Sequence, residues 1–502
     1  MNKVRYISIL CLLLCSLAVS AQTYERVVRD NFWNGSKNVT GIRQDSIIVS
    51  YAEAFGGYEG GEIRDSWEAV QSWKAGARTA SIRHMERMSL MGSFSFSQTE
   101  GYDMCGSMFI KPGFYPVDVL EFTPGRKTLQ TYALDGGISY DLGSNWRIGA
   151  MMDFEASNIA KRKDLRHSNW RLDMTVSPGL MYHEGDFAVG VNYLLRKTSE
   201  NIEAEQVGIS ETSYYAFLDK GLMYGVYNIW TGSGLHLQDA GVKGFPVKDL
   251  SNGAALQMQY KGFFAEAEYM HTTGTIGEKE YIWFLFPGNS VEARLGYRHI
   301  GENTRHYARL NFGWNALSVD ETILEKVSEN GVNTVINHGN NRILSRGSWN
   351  IAPEYEFIAN NILEFKAGMD VNMQESISSQ MYPYAYTQVL TEASAYMGFM
   401  FHIGRFDWSV TGRYDRGWVS ENNRQVSENS GVQTAPFRLE DWYNRHMEYR
   451  TAQKFCSDIM VRYNFRNGMY LRLDLSSLKG FDIKYIGGSN RLGADLRIGY
   501  NF

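Results

Sequence analysis

The last twelve residues, Arg491 to Phe502, alternate without a break. Leu492, Ala494, Leu496, Ile498, Tyr500 and Phe502 are apolar, and Arg491, Gly493, Asp495, Arg497, Gly499 and Asn501 fill the positions between. In a strand, period two sends these sets to opposite faces, one fit for hydrocarbon and one for water. Chain ends ordinarily fray. An amphipathic strand that ends on an aromatic residue instead fits a closed transmembrane barrel, whose final strand must bond its first because lipid offers the backbone no partner. The alternative is an edge strand of a soluble sheet, and the rest of the chain bears on the choice.

The same alternation recurs as a series of hairpins. Trp146, Ile148, Ala150, Met152 and Phe154 answer Tyr132, Leu134, Ile138 and Tyr140 across a brief turn, and Leu363, Phe365, Ala367 and Met369 answer Trp349, Ile351, Tyr355 and Phe357 across Asn360-Asn361. Asn467-Gly468 between Phe465 and Met469 reads as a type I′ turn. The first strands are expected over Ser46–Phe55, Lys74–His84 and Arg87–Gln98. Brief turns alternate with long connections, among them 99–126, 198–253, 272–289, 318–346 and 417–454. Segregating loop length by side is the habit of an outer-membrane barrel, with short periplasmic turns and long extracellular loops. The expected fold is therefore all-β: a single-chain antiparallel transmembrane β-barrel of about eighteen strands, within a range of 14–18, over residues 46–502.

Lys3 and Arg5 precede an apolar run from Tyr6 to Val19, and Val19-Ser20-Ala21 stands before Gln22, which gives residues 1–21 the layout of a secretory signal peptide. Cys15 lies between Leu14 and Ser16 without the small-residue setting of a lipoprotein signal, so no lipid anchor is expected. Residues 22–45 form a polar lead, with Trp33-Asn34-Gly35 and Asn38 to Ile42, expected inside or beneath the barrel. Cys105 and Cys456 then remain, too few for a disulfide framework and badly spaced for zinc, with one bridge between them left open. Fifty basic against 55 acidic residues leave a net charge of −5, which argues against a nucleic-acid partner. Aromatic content of 14%, with 31 Tyr and 49 Gly against 9 Pro, favours strands and interfacial aromatic belts.

With the apolar set facing lipid, the lumen is expected to receive Arg147, Asp153, Glu155, Arg171 and Asp173 from the first half of the chain. Glu292, Arg294, Arg309, Glu354 and Glu356 follow from the middle. Arg405, Asp407, Arg413, Asp458, Arg462, Arg472, Asp474, Asp495 and Arg497 complete the set. One Lys or Arg on the lipid side costs about 2–4 kcal/mol at midplane, so confinement of charge to one face separates a barrel from a generic amphipathic sheet. Both signs occur on nearly every strand. These residues either brace the wall as ion pairs or line a path, and without a ring of one sign they argue against a strongly ion-selective pore.

Two long loops carry aromatics: 198–253 with Tyr214, Tyr215, Tyr224, Tyr227, Trp230 and Gly232-Ser233-Gly234, and 417–454 with Trp418, Phe437, Trp442, Tyr443 and His446. These side chains either fold inward as a constriction, reach outward for a sugar-like ligand, or form a plain surface cap. No catalytic constellation is visible. His271-Thr272-Thr273 is the nearest candidate and lacks an accompanying serine motif, while His299 and His306 merely flank a turn. No enzyme activity, cofactor or metal is expected.

The opening Trp33-Asn34-Gly35 with Asn38 to Ile42, and the closing Leu496 to Phe502, resemble an uncharacterised family of porin-like Gram-negative outer-membrane β-barrel proteins. The resemblance implies residence in the cell outer membrane among lipid and lipopolysaccharide, after signal-peptide-directed export and insertion by the barrel-assembly machinery. It further implies company with a TonB-dependent receptor and a role in nutrient uptake. The layout is similar, more distantly, to long-chain fatty-acid transporters, whose intraluminal Asn-Pro-Ala motif is not matched by Asn38-Val39-Thr40. The expected function is a channel or transport component for small solutes. A non-conducting binding or interaction protein that meets a TonB-dependent receptor through its external loops is the alternative.

Overall fold

The computed structural model describes residues 24–44, 47–205, 207, 215–221, 227–231, 243–329, 332–381, 384–425 and 439–502. The expected export segment, residues 1–21, lies outside them. The described chain opens with a short helix, α1 (Tyr24–Asp30), and two 3-10 turns, Phe32–Gly35 and Val39–Gln44. Strands β1 (Val49–Gly61), β2 (Gln71–His84), β3 (Met88–Ser107), β4 (Asp118–Asp141), β5 (Trp146–Lys161), β6 (Arg166–Glu184) and β7 (Phe187–Glu205) follow. A short pair, β8 (Tyr215–Asp219) and β9 (Tyr227–Thr231), precedes β10 (Phe245–Tyr260), β11 (Phe263–Glu278), β12 (Tyr281–Ile300) and β13 (Thr304–Glu329). The remaining elements are β14 (Val332–Ala359), β15 (Leu363–Met381), β16 (Tyr384–Ile403), β17 (Phe406–Gln425), helix α2 (Leu439–Thr451), β18 (Gln453–Asn464), β19 (Met469–Phe481) and β20 (Asn490–Asn501).

β1 pairs with β2 on one side and β20 on the other, and β7 pairs directly with β10. Among the described residues eighteen antiparallel strands thus close a cylinder. β8 and β9 form a separate hairpin bonded to Asp118–Leu120 of β4. At the seam the Phe502 N–H donates to the Ser50 carbonyl at 3.0 Å. The outer face exposes large apolar side chains, including Ile148, Leu256, Leu295, Val410 and Leu473, together with Leu492, Leu496, Ile498, Tyr500 and Phe502 of the closing strand. Their inward neighbours Arg147, Arg171, Glu266, Glu356 and Arg462 are buried. So extensive an apolar exterior on a closed sheet is matched by hydrocarbon, and the molecule is a transmembrane β-barrel of outer-membrane type. No described helix is long and apolar enough to cross a membrane.

Several expected long connections are strand instead. The segment 272–289 belongs to β11 and β12, which turn over within Lys279-Glu280, and most of 318–346 belongs to β13 and β14. β1 likewise runs to Gly61, beyond the expected Phe55, and β3 to Ser107, beyond Gln98. Above the bilayer neither face has to be apolar, so alternation fades while backbone pairing continues. The turn chemistry differs too. At Asn467-Gly468 only the glycine has positive φ (87°), whereas Asn360 and Asn361 both do (52° and 53°), so the I′ geometry falls at the second pair. Cys105 and Cys456 are free thiols, not a bridge.

Candidate functional site

The short-turn end of the barrel is filled by the chain's own beginning. Asn31 starts the first 3-10 turn by accepting the Trp33 N–H on its side chain at 3.1 Å. The turn drives the Trp33 ring into the wall, where it is 1% exposed, lies edge-on to Phe264 at 5.5 Å and donates its indole N–H to Gln259 at 2.5 Å. Val27, Val39 and Ile42 meet Val49 and Ile82 in an apolar cluster on the opposite side. Glycines make room for this contact. A Cβ at Gly190 would stand 2.7 Å from the Asn38 amide nitrogen and 2.9 Å from the Trp33 ring, and one at Gly179 would stand 2.4 Å from the Asn38 amide oxygen.

Asn38, fully buried, is the hub of the polar contacts. Its amide donates to Gln257 at 2.9 Å, while its carbonyl oxygen accepts the Thr40 hydroxyl at 2.6 Å. Gln257 donates to Asn192 (2.7 Å) and to Glu266 (2.9 Å), Asn192 donates to Ser177 (2.7 Å), and the Ser177 hydroxyl returns to the Lys37 carbonyl at 2.8 Å. Ser36 donates to Glu266 at 2.6 Å. Buried polar groups are costly unless bonded, and here the wall and the segment satisfy each other.

Ion pairs fasten the periphery. Arg29 reaches Glu356 at 2.6 Å and Glu364 at 3.0 Å. Asp30 accepts the Tyr307 hydroxyl at 2.5 Å and pairs with Arg305 at 3.2 Å, and Arg298 donates to its carbonyl. Arg43 pairs with Asp141 at 2.9 Å, Arg294 bonds both Glu266 and the Gly35 carbonyl, and Lys37 stands 3.7 Å from Glu268.

The opposite end is covered by inward-folded loops. In the β3–β4 connection, Lys111 pairs with Glu155 at 2.7 Å, Phe114 lies under the guanidinium of Arg171 at 4.7 Å, and the Ile110 N–H donates to Glu200 at 2.9 Å. Behind it Phe109, Val117, Phe245, Phe284 and Leu344 form a buried apolar cluster. Helix α2 lies over the mouth: Trp442 sits edge-on to Phe122 at 5.0 Å, His446 meets Asp65 at 2.8 Å, and Arg450 pairs with Glu392 at 2.5 Å. The Glu448 carboxylate accepts three successive backbone N–H groups, of Lys484, Tyr485 and Ile486, at 2.5, 2.6 and 2.6 Å.

Residues 40–502 match the profile described as "Family of unknown function (DUF6850)". The chain belongs to that family. The DUF6850 chain has no significant match among curated proteins. Of solved structures, CdiB from Acinetobacter baumannii is 9% identical over 90% of this chain, with a TM-score of 0.38, and this chain spans 60% of its length. OpdK from Pseudomonas aeruginosa is 8% identical over 91% of this chain and 99% of its own, with a TM-score of 0.35. The ferric-catecholate import receptor Fiu from E. coli K12 is 8% identical over 91% and 82%, with a TM-score of 0.43.

Most of the charges singled out in the sequence stand in ion pairs in the DUF6850 barrel. Arg147 pairs with Asp141 (2.8 Å), Arg171 with Glu155 (2.8 Å) and Asp173 (2.6 Å), Arg309 with Glu354 (2.8 Å) and Glu356 (3.4 Å), and Arg413 with Asp415 (3.1 Å). Asp474 joins Arg472 (2.8 Å) and Arg497 (3.2 Å), and Asp407 meets His402 at 2.6 Å. Arg462 lies over the Tyr470 ring at 3.9 Å, Asp458 is 3.6 Å from the Cys456 sulfur, and Asp495 leans over Gly57. Asp153 faces Asp135 across the ladder and Glu292 faces Glu268, two like-charged pairs in register. Arg405 departs from expectation. It occupies the Gly404-Arg405 turn, exposed, and approaches the outward-facing Tyr463 hydroxyl at 3.4 Å, because β16 ends at Ile403 and β17 begins only at Phe406.

Of the loop aromatics, Trp442 and Tyr443 fold inward on α2, and Trp418 is exposed on β17. Tyr214, Tyr224, Gly232, Ser233, Gly234 and Phe437 lie outside the described residues, as do the side chains of Tyr215, Tyr227 and Trp230. His271 bonds Asn289 at 2.9 Å on the exposed outer face, and the His299 and His306 rings stand 6.1 Å apart. The polar wall residues Asn192, Gln257, Gln259 and Tyr307 escaped the sequence reading, which followed charge. Inward glycines on adjacent strands were the available signal.

Proposed function

We propose that this DUF6850 protein is an outer-membrane channel or transport component for small solutes, acting in nutrient uptake, whose route is controlled by its own N-terminal segment and external cap. The observation that carries the reading is that residues 24–44 lie across the short-turn end, held by hydrogen bonds, ion pairs and apolar contacts, and joined to the wall covalently through the run into β1. Leaving the seat breaks no covalent bond, and the polar groups freed on both sides can bond water instead, which suits a floor that moves. In this reading residues 1–21 direct export, residues 22–45 form the floor, and the charges from Arg147 to Arg497 brace the wall around a polar route. No cofactor or catalytic group takes part. Planar-bilayer recording tests the reading. The full chain is expected to conduct rarely, and a chain lacking residues 24–44 steadily. A shortened chain that keeps its heat-modifiable barrel yet stays silent across salts and sugars overturns it.

The coverage of the other mouth by α2 and by Lys111–Phe114 favours a second reading, a non-conducting interaction protein that meets a TonB-dependent receptor through its external loops. Replacing Glu440–Arg450 with a flexible linker separates the two. Loss of receptor capture without any conductance supports the second reading, and increased conductance supports the first.

A further inference from the structure

The outer wall carries a depression that the transport reading leaves unused. On β13 and β14, Trp314 and Trp349 stand directly opposite each other with both rings exposed, at the upper edge of the apolar band. One row further out the register reads Asn289, Ala316, Gly347 and Glu375 across β12 to β15. The next holds Ser318, Ser345 and Ile377, and beyond it Asp320 and Arg342 form an ion pair. Small side chains between taller rims leave a hollow of about 440 Å³, and a Cβ added at Gly347 would meet nothing within 4 Å. Asn289 is held in place on the rim by the Tyr269 hydroxyl at 2.8 Å and by His271 at 2.9 Å.

We propose that this hollow holds the sugar headgroup of an outer-leaflet glycolipid. The position decides the source. The hollow continues the lipid-facing surface immediately above a pair of tryptophans, the residue type that settles where acyl chains give way to headgroups. The chemistry decides the class. Indole rings below offer apolar faces to sugar C–H groups, while two serine hydroxyls, the Asn289 amide and the planar groups of Glu375, Asp320 and Arg342 offer donors and acceptors to sugar hydroxyls. Arg342 is matched by Asp320, Arg346 shares the inward face with its ladder partner Leu317, and Glu375 leaves the rim net acidic. That balance disfavours capture of a bare phosphate and favours the hydroxyl-bearing part of the headgroup.

Native mass spectrometry of the purified full-length barrel with monophosphoryl lipid A, whose headgroup is a disaccharide, tests the assignment. Wild type is expected to retain the glycolipid. Gly347→Trp, which fills the hollow from a position with open space around it, is expected to lower the bound fraction at least tenfold. Ser318→Trp repeats the test if Gly347→Trp fails to assemble, and Ala77→Trp, on the outward face of β2, is the control expected to bind as wild type. Equal retention by wild type and the filled variants overturns the proposal. So does equal retention of phosphatidylglycerol, which would remove the sugar from recognition. Full displacement by an equimolar lipid-free disaccharide overturns the membrane source.

Discussion

Arg29 and Glu356 meet at 2.6 Å although 327 residues separate them in the chain. With Glu364 at 3.0 Å on the same guanidinium, this contact ties α1 to β14 and β15 on the far side of the barrel from the seam where the segment enters. All three side chains are largely shielded. Deleting the cation would leave Glu356 with Arg309 at 3.4 Å and Glu364 with His402 at 3.1 Å, the wall's own partners, and would take away the ion pairs that Arg29 brings to them from the segment.

Arg29→Ala is therefore expected to loosen the floor by about 1.5–3 kcal/mol, the usual worth of hydrogen bonds to charged groups. Bilayer recordings should show more frequent openings, and Arg29→Lys should restore part of the closure. Unchanged openings would mean that the ion pair contributes nothing to holding the segment.

Gly190→Val attacks the same contact from the wall. The added side chain collides with Asn38 and Trp33 without disturbing strand pairing, so the segment should be displaced while the barrel assembles. Red-shifted emission from Trp33, measured against a Trp33→Phe background, checks this, with heat-modifiable gel migration as the folding control.

On the external side, Glu448 is the anchor of α2. Charge-assisted hydrogen bonds contribute about 1.5–3 kcal/mol each, and three converge on this carboxylate. Glu448→Ala is expected to raise tryptic cleavage at Lys484 at least tenfold, with Glu448→Gln in between. Equal cleavage of all three proteins would show that the β19–β20 connection does not depend on the helix.

Glu68, in the β1–β2 connection, supplies a pH dependence. Burial pushes its carboxyl above the ordinary glutamate range, opposed by the Asp65 N–H and by Arg491 and reinforced by Asp65 and Glu59. The docked loop thus binds the proton more tightly than the opened loop. Docking is strongest below the ordinary glutamate range, about pH 4.3, and weakens as pH rises through the elevated value. Hydrogen exchange of residues 62–70, corrected for intrinsic rates, should show protection falling on going from pH 5 to pH 8 in wild type and staying level in Glu68→Gln.

The barrel was legible because the bilayer imposes a rule on every spanning strand, so Leu496 and Arg497 report their faces by position alone. Strand ends were not. Thr272 and Asn289 read as loop because they lie in β11 and β12 above the apolar band, where both faces meet water and the alternation loses its cause. The polar lead reads as lying inside or beneath the barrel, but its partners were hidden. Asn38 finds Gln257 across 219 residues and Ser177 finds Lys37 across 140, and uncharged amides and hydroxyls carry no periodic signature.

The floor also hangs from the strand that seals the cylinder. Between Gln44 and Val49 only four residues intervene, a leash that reaches about 14 Å at full stretch. Once unlatched, the segment stays beside the seam and finds its seat again as a single-molecule event, at a high effective concentration. If the segment gates the route as proposed, closing such a door would take neither a second protein nor a fresh encounter.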